Sequence, residues 1–137
     1  MQRYYSKVDP DVLLFTINHK ENISHDRSDL SPDTEYLQVA TKKLNKGTTF
    51  KPHKHRTFLR EIDKTHEAWV FLQGRVLAKF YDLDDTLYEE IILGPGDCAV
   101  AYNAGHSFVV LEEDTILYEF KNGPYNGVQQ DKEPINE

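Results

Sequence analysis

The chain is predicted to be all-β, a sandwich or barrel, on three observations. Short apolar segments recur along it. Several of them alternate apolar and polar residues, and Gly, Pro, Asn and Asp separate them. After residue 36 no segment carries a long run at helical period.

The segments follow in order. "LQVATKKL" leads through Asn45-Lys46-Gly47 to "TTFKPHKH", and "AWVFL" ends at Gln73-Gly74. In "RVLAKFY", Val76, Ala78 and Phe80 share one face, with Leu77, Lys79 and Tyr81 on the other. The acidic turn "DLDD" precedes "LYEEIIL", and "GPGD" precedes "CAVAY". "NAGH" leads to "SFVVL", and "EED" to "TILYEF", where Ile116, Tyr118 and Phe120 oppose Leu117 and Glu119. Three divisions are expected: residues 1–35 as a polar, irregular arm or added edge strand, 36–123 as the barrel, and 124–137 as a polar tail over the surface.

At 137 residues the chain has room for one hydrophobic core, so one site is sought. A formal charge of -7 without a Lys/Arg run argues against nucleic acid and anionic membranes as partners, leaving small molecules or proteins. Cys98 is the only cysteine, so no internal disulfide forms, and a small buried hydrophobe is its ordinary role. No apolar stretch approaches the ~20 residues that span a bilayer. The opening "MQRYYSKVDPDVLLFTI" lacks a cleavage site, and a cytoplasmic, unprocessed protein is expected.

The chemistry concentrates in "KPHKHRTFLR". On a strand, His53 and His55 share a face while Lys54 points away, and two adjacent neutral imidazoles are suited to one cation. The pair sits in an ordered constellation: Gly47, His53, His55, then Glu67 and Gly74, then Gly96 and His106 in "GDCAVAYNAGH". This resembles the two motifs of the cupin superfamily, with eleven residues between His55 and Glu67 and "YNAGH" in the final turn. The ending "ILYEFKNGPYNGVQQDKE" resembles that of small cupins of the WbuC type, found among bacterial surface polysaccharide genes. Glu119, Lys121, Gly123, Pro124, Tyr125, Asp131, Lys132 and Glu133 carry the match.

The resemblance implies a double-stranded β-helix, the jelly-roll barrel of cupins, and a divalent transition metal (Zn, Fe, Mn or Ni) held by His53, His55, Glu67 and His106. Glu61 and His66 remain alternatives to Glu67. His66 and Glu67, as neighbours on a strand, face opposite sides. The implied setting is polysaccharide biosynthesis, with a carbohydrate-like substrate isomerised or epimerised. An iron-dependent dioxygenase and a non-catalytic metabolite-binding module are the alternatives. Glu119 and Tyr118 are the candidate proton-transfer residues, and Arg75, Lys121 and Tyr102 the candidate substrate contacts. A homodimer is expected, because exposed sheet edges invite pairing with a second copy.

Overall fold

The computed structural model describes residues 1–136. Ten strands form antiparallel sheets. They are β1 (Gln2–Tyr5), β2 (Leu13–Asn18), β3 (Ser28–Asp29), β4 (Ala40–Thr41), β5 (Glu67–Gln73), β6 (Val76–Tyr81), β7 (Leu87–Leu93), β8 (Cys98–Ala101), β9 (Gly105–Val110) and β10 (Ile116–Lys121), followed by one short helix, α1 (Val128–Asp131). The main sheet runs β1-β2-β8-β5-β10. A second runs β7-β6-β9, and β3 pairs with β4.

Alternation explains how the two larger sheets meet. Trp69 and Phe71 of β5 share a core with Val76, Ala78 and Phe80 of β6, and Phe108 of β9 packs against it. A stack of rings crosses this core: Tyr4 lies 4.3 Å from Phe15, and Phe15 lies 4.0 Å from Phe80. The opposite face of the main sheet presents Ala68, Cys98, Val100 and Tyr102 to Leu30, Leu37 and Val39, which cover it. Burial pushes the Cys98 thiol up to about 11, with Asp97 adding to the shift, so the cysteine stays an inert thiol.

Residues 1–35 contribute more than an arm. β1 is an edge strand, but β2 is buried at all six positions between β1 and β8. Leu13, Leu14, Phe15 and Ile17 are buried together with Thr16 and Asn18 because both faces of the strand are covered.

Gln73-Gly74 makes the tight turn from β5 to β6. Gly74 adopts φ 73°, where a Cβ would strike the Thr115 side chain. Gly96, at φ 87°, turns the chain into β8 in the same left-handed conformation.

The strand expected over "TTFKPHKH" is absent, and "LQVATKKL" contributes only β4. Every residue from 42 to 65 is exposed and none lies in a strand. No helix of the described residues is long and apolar enough to cross a membrane.

Asp82, 3% exposed, ties the β1–β2 turn to the end of β6. It accepts hydrogen bonds from the Ser6 hydroxyl at 2.5 Å and the Lys7 amide at 2.8 Å. Burial pushes its pKa up, but the bonds from Ser6, Lys7 and Leu83 outweigh burial and hold it below the ordinary 3.8. A carboxylate with a depressed folded value adds stability above its unfolded value, and this is lost as pH falls through and below that value. Asp82→Asn is expected to cost about 1–2 kcal/mol at pH 7. Urea denaturation at pH 7 and pH 3 should show the gap from wild type closing at the lower pH; an unchanged gap would contradict this.

Candidate functional site

Glu67 opens β5, two residues before Trp69, so it shares the inward face with the core. Its side chain is 6% exposed. His106 lies inside β9, where the register pairs it with Phe80, rather than in the turn that the sequence suggested. The two residues come from different sheets and meet: His106 Nε2 stands 2.9 Å from Glu67 Oε2. The Trp69 ring, 4.6 Å from the imidazole, backs it.

Lys121 ends β10 on the same inward face and donates to Glu67 Oε1 at 2.6 Å. It also donates to Asp131 Oδ2 at 2.7 Å, and Asp131 accepts a further bond from Thr65 at 3.1 Å. Burial would raise the Glu67 pKa. The bonds and charges of His106 and Lys121 outweigh it and hold the carboxyl down at about 2. Asp131, first, and Glu67 raise the Lys121 ammonium well above its usual value, so the lysine is charged throughout the physiological range. Asp131 is lowered chiefly by its bond to Lys121.

Glu67, His106, Asp131 and Thr65 border an open cleft of about 1410 Å³. Tyr81, Ser107 and Asn103 line it from the sheet side, and Val128 and the tail from Asp131 to Asn136 form another wall. The Tyr81 hydroxyl lies 3.3 Å from the Ser107 hydroxyl. The tail does not merely lie over the surface. A Cβ added at Gly105 would fall 2.3 Å from Ile135 Cδ1, so the bare glycine backbone is what admits the tail side chain.

His66 faces away from Glu67, as alternation requires, but it is not a surface group. It is fully buried against Tyr36, at a ring separation of 5.3 Å, and Tyr102, at 5.4 Å. Its Nδ1 accepts from the Leu37 amide, and its Nε2 lies 3.5 Å from the Glu35 carboxylate without forming a hydrogen bond. Burial, with Lys64 nearby, lowers its pKa against the opposing pull of Asp63, so the ring is held toward its neutral form. His66 thus belongs to the outer cluster rather than to the cleft.

Of the residues singled out in the sequence, Glu67, His106 and Lys121 come together. Glu119 shares their inward face of β10 with Leu117 and accepts from Trp69 Nε1 at 3.1 Å. Tyr118, one residue away, lies on the opposite face, 60% exposed beside Phe120, because neighbours on a strand alternate. The Tyr102 hydroxyl is committed to Ser31 at 3.1 Å in the outer cluster. Arg75 pairs with Glu112 at the far end of the β6–β9 ladder, away from the cleft. Trp69 and the tail around Ile135 were not anticipated. The i, i+2 relation of Glu67 and Trp69 was the available signal for the first.

His53 and His55 stay outside. Their rings are 5.6 Å apart on the exposed segment, His53 Nδ1 bonds to the Lys51 carbonyl at 2.9 Å, and neither residue lines the cleft. Glu61 is exposed on the same segment. The 2.9 Å contact between Glu67 and His106 is itself a hydrogen bond, with the imidazole nitrogen facing the carboxylate. Among the described residues, no three His, Cys, Asp or Glu side chains converge to hold a metal ion. As the chain stands, the four ligands that the sequence suggested do not fit a shared ion.

No family model, curated protein or solved structure matches this chain.

Replacing Lys121 leaves the Glu67 and Asp131 carboxylates without their common cation. Lys121→Met is expected to lower stability by about 2 kcal/mol, and Glu67→Gln added to it should restore part of the loss. Denaturant unfolding of the single and double variants measures the coupling, and strictly additive losses would refute the network.

Proposed function

We propose that this chain is a small jelly-roll protein of the cupin type that binds a divalent transition metal and acts on a sugar-like substrate by isomerisation or epimerisation. The observation that carries the reading is the 2.9 Å approach of His106 and Glu67, brought from two sheets to the border of an open cleft.

The strand order supports the jelly-roll part of the proposal. A jelly roll pairs eight strands in two sheets. Six are accounted for by β8-β5-β10 and β7-β6-β9, and the open positions beside β10 and β9 suit two further strands from the segment preceding β5. That segment carries His53 and His55.

The chemistry follows from the groups that the cleft presents. A carboxylate held charged by two donors orients the His106 imidazole, and a nearby ammonium favours negative charge developing on a substrate oxygen. Such a set suits moving a proton on a carbon beside a carbonyl. Glu119, on the same strand face as Lys121 and bonded to Trp69 Nε1 at 3.1 Å, is exposed and outside the cleft lining, and it is our candidate for the ionisable group outside the ligand set that a proton-transfer enzyme requires. A carbohydrate-like substrate also agrees with the polar wall of Tyr81, Asn103 and Ser107. The setting in bacterial polysaccharide biosynthesis rests on the likeness of the C-terminal ending alone.

Elemental analysis of protein purified without chelator is expected to find close to one transition-metal ion per chain. The content should fall at least tenfold in His106→Ala and in His53→Ala. Equal metal in all three proteins would remove the proposed centre. Glu119→Gln should retain the ion and slow solvent deuterium uptake into a keto-sugar nucleotide by 10²-fold or more. Unaltered uptake would exclude Glu119 as the proton carrier.

A further inference from the structure

One side of the molecule is unfinished. β9 and β10 follow each other in the chain, yet each lies at the edge of a different sheet, bonded to a neighbour strand on one side only. Both strands carry exposed hydrophobic residues: Val109 and Val110 on β9, and Ile116, Tyr118 and Phe120 on β10. Unpaired backbone groups beside apolar side chains make a ready template for another strand.

The same chain carries a segment suited to that template. Residues 42–65 are exposed throughout, including Phe50, Phe58, Leu59 at 85% exposure, and Ile62. Residues 42–60 hold seven of the sixteen basic residues and none of the twenty-three acidic ones, so this stretch carries +7 and the remainder -14. β9, β10 and the turn between them carry Glu112, Glu113, Asp114 and Glu119 against Lys121, so the receiving side is acidic, and opposite charge favours the meeting.

The segment does not use its own chain's open side. Its hydrogen bonds to other parts of the chain join Lys43 to His25, Asp63 to Tyr36, Lys64 to Asn103 and Asn122, and Thr65 to Asp131. Among the described residues none reaches β9 or β10. A surface and its complement on one chain, unengaged with each other, satisfy both at once when two copies exchange them about a two-fold axis.

We propose that two copies exchange residues 42–65, each laying this segment along the β9 and β10 edges of the other and delivering His53 and His55 to the other copy's Glu67 and His106. The site is then completed only in the dimer. The delivery of the histidines rests on the proposed metal centre, whereas the exchange itself does not.

Two measurements separate these parts. In light scattering the 15.9 kDa chain is expected to run as a dimer, and Phe58→Asp/Leu59→Asp as a monomer. A monomeric wild type, or a variant that stays dimeric, overturns the exchange whether or not metal binds. For the delivery, a His53→Ala/His55→Ala chain is co-expressed with a His106→Ala chain and titrated with Zn²⁺. Either variant alone should bind none. Random pairing of the two should restore Zn²⁺ to about a quarter of the wild-type content per chain, because each mixed dimer holds one intact set. No restoration, when wild type binds Zn²⁺, overturns delivery between copies. A wild type that binds no Zn²⁺ overturns the delivery together with the proposed centre, and the light-scattering result then stands on its own.

Discussion

The architecture around the cleft depends on neutralising one buried carboxylate. Glu67 sits on the core face of β5, and a carboxylate without partners there would cost several kcal/mol of lost hydration. Its compensation comes from His106 on the second sheet and Lys121 on the edge of its own, so three strands are held in register at one point. Lys121 in turn recruits Asp131, which brings the polar tail against the cleft. Satisfying one charge thus places the groups that can act on a ligand.

The core and the open side follow opposite rules. The aromatic stack through Tyr4, Phe15 and Phe80, with Phe15 and Phe80 fully buried, ties the two sheets face to face. On the β9–β10 side the sheets end with apolar residues in water. Charge is divided in the same way, with basic residues gathered in 42–60 and acidic ones spread over the body. This segment and surface are the basis of the proposed exchange between two copies.

Much of the fold was legible from local pattern. β6 and β10 fall where alternation placed strands, because such a strand writes its two faces into the sequence with period two, and β7 and β8 fall where the flanking turn residues bounded short apolar segments. β2 was not recognised: a strand covered on both faces loses the alternation that marks a half-buried strand. Neither was the fate of "TTFKPHKH". Its alternation suits a strand, but a strand also needs a neighbour to take its hydrogen bonds, and the chain offers none that the segment uses. The division between His66 and Glu67 was readable, whereas the burial of His66 under Tyr36 was not, since the covering residues lie thirty positions earlier.

The sequence by itself determined the all-β class, the faces of the later strands and that His66 and Glu67 point to opposite sides, all of which follow from the alternation of side chains along an extended backbone. Only the tertiary structure decided that Glu67 meets His106 and Lys121, that Arg75 and Tyr118 stand apart from the cleft, that Tyr102 borders it with its hydroxyl bonded to Ser31, and that His53 and His55 lie outside it. The physical reason is that a periodicity states which face a residue occupies. What that face meets depends on contacts between distant parts of the chain, and those are settled by burial and charge compensation across the whole fold.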